Sequence, residues 1–254
     1  MINPILKVLS ALSSRNVRCL LIGGQACIFY GAAEFSRDTD IAVLASSENL
    51  DRLLSALDDL NAVTIAVPPL SGEYLRRGHA VHFRCSHPDA LGMRVDVISR
   101  MRGVEPFEKL WDRRTTVEIT PGTSCELLSL PDLVRSKKTQ RDKDWPMIRR
   151  LIEADFAANK HGPTPEQIEF WLREGRTPSV LREIAVRYPA DCQRILSIRP
   201  LLVNASNGND LLMEEGLQEE ERLEREADRE YWKPLRQELE QLRHAMTGKR
   251  TAGL

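Results

Sequence analysis

Apolar residues recur at two different spacings along the first part of the chain, and these spacings predict helices alternating with strands. Residues 4–14 carry apolar side chains at helical spacing, and a short apolar run then follows over 17–22. Further strands are predicted where aliphatic and β-branched residues cluster between turn residues, at 40–45, 62–67, 80–85, 93–98 and 113–119. This order predicts an α/β (α+β) domain with a mixed sheet and flanking helices.

The first strand ends at Gly23-Gly24, and a short apolar helix is predicted directly after this turn. Glycine lets the backbone approach a ligand closely, and the following helix offers N–H groups at its N-terminus, so the turn predicts a phosphate site. Asp38 and Asp40 open the next strand. Because bare carboxylates repel phosphate, we expect a divalent cation there, Mg²⁺ or Mn²⁺.

A third acid lies in the later of two strands that flank a short polar loop, a pattern that predicts a hairpin. Asp96 interrupts a β-branched run, where an unpaired carboxylate is costly to bury. We therefore expect a partner or a metal ion for this carboxylate. Three histidines of this region have no zinc spacing with cysteines and are interpreted as surface or strand residues: His79, His82 and His87.

Beyond residue 129 the pattern becomes helical. A helix is predicted to begin at Leu130, to continue through a basic stretch with Lys137, Lys138 and Arg141, and to regain an apolar face at Trp145. A basic helix segment suits a polyanionic substrate. The same charges also fit solvated pairs within one helix, and the two interpretations stay open.

The last hundred residues are predicted to be helical throughout. A linker at 159–163 divides the chain into a domain over 1–158 and a helical C-terminal region over 159–254. That region is expected to contain short helices, a loop at 204–209 and a long charged helix interrupted near Pro234. Its glutamate and arginine content suits self-association or a protein partner.

The composition favours a soluble protein and argues against one that binds nucleic acid through its net charge. The 254 residues are 42% hydrophobic and 29% charged, which is typical of a soluble protein, and the net charge of −1 gives no support to broad capture of nucleic acid. Five scattered cysteines predict free thiols in a reducing cytoplasm. The start of the chain does not resemble a signal peptide, and no apolar run approaches about 18 residues, so we expect a cytoplasmic protein without a membrane partner.

Taken together, Ile22-Gly23-Gly24, Asp38-x-Asp40 and Asp96 resemble the motifs of the nucleotidyltransferase superfamily. That superfamily includes DNA polymerase β, kanamycin nucleotidyltransferase and the minimal nucleotidyltransferases of toxin–antitoxin systems. The segment 130–144 resembles the helix that follows the site in the toxin-like branch. The resemblance covers about residues 5–155.

The resemblance implies transfer of a nucleoside monophosphate from an NTP to an acceptor, which is left open between tRNA, a protein and a small molecule. A toxin–antitoxin component is one biological role that it suggests. It implies that Asp38, Asp40 and Asp96 are catalytic and hold the metal ions. Nucleotide binding is assigned to six residues: Gly23, Gly24, Arg37, Lys137, Lys138 and Arg141. For Arg37 the alternative is an ion pair with one of the neighbouring aspartates.

A second alignment leaves the site one carboxylate short, because it places Asp40 at the first acidic position of the family and Ala42 at the second. Residues 38, 40 and 42 point to the same face of an extended strand, with roughly 6.6 Å between successive members. One alignment predicts a working enzyme. The other predicts a catalytically degenerate fold that acts as a binding or regulatory module.

Overall fold

The computed structural model describes residues 4–33 and 35–251, with side chains described as far as residue 245. In this part of the chain one mixed sheet has seven strands: β1 (Cys19–Ile22), β2 (Asp38–Val43), β3 (Val63–Thr64), β4 (Val81–Arg84), β5 (Arg94–Ile98), β6 (Thr115–Thr120) and β7 (Thr123–Leu127). Their spatial order is β3-β4-β5-β2-β1-β7-β6. β2 and β5 are parallel, as are β1 and β7, and the remaining neighbours are antiparallel.

Helices flank this sheet and make up the C-terminal region, which confirms the predicted mixed α/β class. The α-helices of the described residues are α1 (Pro4–Ser14), α2 (Gly23–Phe29), α3 (Ser47–Asp59), α4 (Gly72–Arg77), α5 (Phe107–Asp112), α6 (Leu130–Ser136), α7 (Asp144–Asn159), α8 (Pro165–Glu174), α9 (Pro178–Arg187), α10 (Pro189–Ile195), α11 (Leu202–Ser206) and α12 (Asp210–Thr251), and a 3₁₀-helix spans Pro88–Ala90. None of them combines the length and the hydrophobicity that a bilayer span requires. All five cysteines are free thiols, as predicted.

The chain divides into two compact units. The first comprises the residues up to 29, those over 33–136 and those from 230 onward, and the second comprises 30–32 and 137–229. The predicted boundary after residue 158 differs from this division, since it falls one residue before the end of α7 and inside the second unit. Compact units are not tests of independent folding, so the predicted domain boundary stays a prediction.

The burial of strand β2 shows which part of the sheet in the first unit has a face that is accessible to solvent. Its neighbour β1 is buried on both faces, since Leu20 and Leu21 point to opposite sides and both are almost fully buried. β2 is likewise buried from Ile41 to Val43, whereas at its start half-buried and buried residues alternate. Only this first half of β2 has an open face, and it carries both aspartates of the predicted motif.

Hydrogen bonds of Asn49 hold the other ends of β1 and β2 together. Ser46 caps α3, because its side chain accepts a hydrogen bond from the Asn49 N–H. The buried Asn49 side chain then donates to the carbonyls of Arg18 and Leu44, and it accepts from the Arg18 N–H. The relative position of the two strands is therefore set by a side chain on α3.

Several predicted bounds need correction. β2 begins at Asp38 rather than at residue 40, since its ladder with β5 starts there. The hairpin of β4 and β5 is confirmed. In the second unit, part of the predicted loop at 204–209 is wrong, because α11 extends to Ser206.

The predicted interruption near Pro234 is also wrong, because α12 continues through this residue. A proline inside a helix removes one backbone hydrogen bond, so the helix needs support on both sides of it. In the first unit Tyr231 lies against Gly78 on one side of Pro234, and Glu238 binds the buried His79 with 2.8 Å between Oε2 and Nε2 on the other.

Candidate active site

Strand register brings the predicted acids together on one face of the sheet. Asp40 is the direct neighbour of Asp96 in the parallel pair β2 and β5, and Asp38 is the neighbour of Arg94. His82 on β4 lies opposite Asp96 in the antiparallel pair. Residues that are paired or two apart share a face, so these five side chains form one polar surface, here called the acidic face.

The opposite face of β2 and β5 packs into the hydrophobic core. Since successive residues of a strand point to opposite faces, the acids lie on the face that remains half-buried. Residues between the polar positions are fully buried, as Thr39, Ile41, Val95 and Val97 show. The alternation is that of a strand with one core face and one polar face. The Thr39 hydroxyl, the polar exception on the core face, has no hydrogen-bond partner among the described residues.

The glycine turn fits closely against the start of β2. Gly23 has a φ of +65°, which favours glycine, and a Cβ on this residue would lie 2.0 Å from Asp40 Oδ2. A Cβ on Gly24 would lie 2.6 Å from Ser36 Oγ. The two glycines therefore have a packing role that the sequence did not reveal, because they make room for the carboxylate and for the loop before it. Their predicted contact with phosphate stays a prediction.

Asp96 is held by two basic side chains. Its Oδ1 lies 2.7 Å from Arg94 Nε and 2.8 Å from His82 Nδ1, and Arg94 Nη2 lies 3.0 Å from the same His82 nitrogen. Burial opposes ionisation of Asp96, but the hydrogen bonds from His82 and Arg94 outweigh it and hold the pKa of the carboxyl below its ordinary value. Asp96 is thus ionised at neutral pH, with a side chain 17% exposed.

Arg94 interacts with all three acids of the face. Its hydrogen bond to Asp96 is the largest cause that raises the pKa of the guanidinium, and the charges of Asp96, Asp38 and Asp40 add to it. The Arg94 side chain is 37% exposed, so it lies at the solvent side of the cluster. The acidic face therefore includes a cation that interacts with its carboxylates.

The donor chemistry of the acidic face fits a divalent cation that shares a phosphate. In the described part of the chain, no three His, Cys, Asp or Glu side chains form a group that would hold a metal ion alone. Mg²⁺ beside a nucleotide commonly takes only one or two carboxylates and completes its shell with phosphate oxygens and water. Half-buried aspartates on an open face provide ligands of that kind.

Two residues beside the acids bear on the alternatives that the sequence left open. Ala42 is almost fully buried, with Leu20 and Ile98 as its strand neighbours, so this position of β2 belongs to the packed part of the sheet. Arg37 is exposed and forms no ion pair within the described residues. Its guanidinium is accessible to a ligand.

The three remaining predicted site residues belong to the second unit, where the predicted long helix from Leu130 is broken. α6 ends at Ser136, and residues 137–143, here called the basic turn, fold around the buried carboxylate of Asp144. Thr139 Oγ1 donates to Asp144 Oδ2 across 2.6 Å, and the Thr139 carbonyl accepts from Trp145 Nε1 across 2.8 Å. Such hydrogen bonds compete with the helix and explain its interruption.

Each predicted phosphate-binding cation of the basic turn has a carboxylate partner. Lys137 Nζ lies 3.6 Å from Asp144 Oδ1, and Arg141 Nε lies 2.8 Å from Asp144 Oδ2. Lys138 Nζ lies 2.7 Å from Glu174 Oε2 and 3.7 Å from Glu224 Oε1. Lys137 is buried, whereas the Arg141 side chain is 59% exposed. These ion pairs give the cations a structural role, and their nucleotide-binding role stays a prediction.

Sequence reasoning missed two members of the acidic face. Arg94 stands two residues before Asp96, so the alternation of the strand was a signal that both share a face. His82 carried no such signal, because its position opposite Asp96 depends on the register of a hairpin whose loop has several residues.

No protein-family model matches the chain, and no curated protein matches it either. The resemblance to nucleotidyltransferases therefore depends on the sequence motifs and stays a prediction.

Proposed function

We propose that the chain is a metal-dependent nucleotidyltransferase that transfers a nucleoside monophosphate from an NTP to an acceptor. The observation that carries this proposal is the register of β2 and β5, which puts Asp38, Asp40 and Asp96 on one half-open face beside the Gly23 turn. This is the arrangement of acids that the resemblance to nucleotidyltransferases implies.

In this proposal the two aspartates of β2 hold the cation, since both lie at the open start of the strand. A bound Mg²⁺ or Mn²⁺ neutralises phosphate charge. Asp96, which is ionised, would complete the second metal site and help to take the proton of the acceptor hydroxyl. Arg37 is the cation that meets the phosphates, because it is exposed and has no ion pair among the described residues.

The acceptor is a hydroxyl or phosphate group of tRNA, a protein or a small molecule, and the proposal covers a toxin–antitoxin component among its biological roles. We further propose a cytoplasmic location, which the five free thiols support. Self-association through the C-terminal helices also stays a proposal.

A calorimetric titration with each of the four NTPs, with and without Mn²⁺, tests the proposed function. We expect binding that depends on Mn²⁺ and that Asp40→Asn abolishes. Asp51→Asn is the matched control, because it makes the same change on the exposed side of α3. Loss of binding in both variants, or its absence in the wild type, would contradict the proposal.

A specific observation favours the second candidate, a degenerate fold that serves as a binding or regulatory module. Asp96 is engaged by His82 and Arg94, and Ala42 is buried where the second alignment requires an acid. The two functions differ in their response to Asp96→Asn. If the chain is an enzyme, Asp96→Asn abolishes nucleotidyl transfer while the variant remains folded. If it is a module, the wild type shows neither Mn²⁺-dependent NTP binding nor transfer.

A further inference from the structure

Arg94 lies among the carboxylates of the acidic face, and its charge interacts with all three of them. Its neighbours on β2 and β5 are the three acids of the proposed site, and it donates a hydrogen bond to Asp96 Oδ1 across 2.7 Å. A guanidinium and a divalent cation attract the same carboxylates, so the two compete for them. Because the Arg94 side chain is already 37% exposed, it can move into solvent without a new burial cost.

His82 contacts both Arg94 and Asp96 through one ring nitrogen. Nδ1 lies 2.8 Å from Asp96 Oδ1 and 3.0 Å from Arg94 Nη2. A ring nitrogen either carries a proton and donates or lacks it and accepts, so Nδ1 forms only one of these two hydrogen bonds at a time. The three side chains therefore have two arrangements. In one, His82 Nδ1 accepts a hydrogen bond from Arg94, and in the other it donates one to Asp96.

We propose that Arg94 is a built-in counter-cation that holds the acidic face until a divalent cation displaces it, and that His82 then positions Asp96. In the first arrangement Arg94 donates both to Asp96 and to His82. In the second, His82 donates its Nδ1 proton to Asp96, and Arg94 leaves the carboxylates to the metal. This inference deepens the proposed function and rests on it.

The chain offers a matched control for this inference. Arg84 on β4 is the direct strand neighbour of Arg94 and shares its face, but it is exposed and makes no ion pair within the described residues. Arg84→Met and Arg94→Met therefore remove the same charge from the same face. Only the second removes a hydrogen bond to Asp96.

The experiment measures Mn²⁺ affinity from the electron paramagnetic resonance signal of the free ion, with no nucleotide present. We expect Arg94→Met to tighten Mn²⁺ binding by about tenfold or more, because the competing charge is gone. His82→Phe is expected to weaken it by about tenfold, since outer partners orient ligands. Arg84→Met should change it by less than about threefold.

Opposite shifts in Arg94→Met and His82→Phe support the inference. Unchanged or weaker binding in Arg94→Met overturns it, and so does an equal gain in Arg84→Met. If Arg94→Met does not fold, Arg94→Gln is compared with Arg84→Gln in the same way, with the same expected direction.

The NTP titration keeps the two proposals apart. Mn²⁺-dependent NTP binding without tighter Mn²⁺ binding in Arg94→Met overturns the inference alone. Absence of binding in both experiments overturns the proposed function as well.

Discussion

The acidic face and the basic turn contain the same types of charged side chain, but the structure uses them differently. On the acidic face three half-buried carboxylates surround one partly exposed arginine on an open part of the sheet. In the basic turn the carboxylate of Asp144 is only 4% exposed and has cations and a hydroxyl around it. Charged side chains that are exposed to solvent remain available to a ligand, whereas buried ion pairs chiefly determine local structure.

The largest expected effect is on stability, and it appears when an aspartate is replaced by asparagine in each of the two regions. Asp144→Asn leaves the buried Lys137 without its counter-charge, and we expect a loss of about 3–5 kcal/mol in the free energy of unfolding. Asp38→Asn removes a half-buried charge on the open face and should cost less than about 1 kcal/mol. Urea denaturation measures both. Equal losses would remove the distinction between the regions.

A second comparison tests the close fit of Asp40 to the glycine turn. Gly23→Ala adds a Cβ at a positive φ and against the Asp40 carboxylate, so we expect a loss of about 2–4 kcal/mol. Gly92→Ala is the control, because Gly92 also has a positive φ (75°) but a Cβ added there would meet nothing within 4 Å. Its loss should be about 1–2 kcal/mol. If Gly23→Ala and Gly92→Ala had the same melting curve, the Asp40 carboxylate would be able to move away from the added Cβ with no loss of stability.

A third comparison removes one cation beside the acidic face, Arg37, and one cation from the basic turn, Lys138. Lys138→Met removes the ammonium that lies 2.7 Å from Oε2 of the buried Glu174, and a loss of about 2 kcal/mol is expected from urea denaturation. Arg37→Met should change stability by less than about 0.5 kcal/mol, since the side chain is exposed. In the NTP titration Arg37→Met should instead weaken binding. A stability loss in Arg37→Met as large as that in Lys138→Met would contradict this assignment.

The smallest effect is a pH dependence of the acidic face. Because His82 and Arg94 hold the pKa of Asp96 below its ordinary value despite burial, the ionised carboxylate stabilises the folded state above that ordinary value. This contribution is lost as the pH falls through the pKa of the folded state. Between about pH 5 and 3 the free energy of unfolding should therefore fall more steeply in the wild type than in Asp96→Asn. Parallel pH curves would contradict this.

How far the sequence predicts the molecule depends on how local the determining interaction is. The cap of α3 and the alternation that opens β2 are local, and they could be predicted from Ser46 and from the residues of the strand itself. The packing of Asp40 against Gly23 and the position of His82 opposite Asp96 depend on strand order and register, which the pattern does not contain.

The basic turn shows the same limit in a helical region. A continuous helix was predicted through these charges, yet the structure interrupts it before Asp144. The partners of this carboxylate lie three, five and seven residues earlier in the turn, at Arg141, Thr139 and Lys137, and the helical pattern gives no sign of them. Likewise β7 was not predicted, because Thr123–Leu127 is not a continuous apolar run and becomes a strand only through its pairing with β6 and β1.

The most direct test of the account locates the bound cation. Mn²⁺ broadens the NMR signals of amides near it, so a titration of the isotope-labelled protein with Mn²⁺ and NTP maps the site residue by residue. We predict broadening centred on the first residues of β2, on Asp96 and on Gly23. Broadening centred on residues 137–144, or none that is specific to any residue, would contradict the assignment of the site to the acidic face.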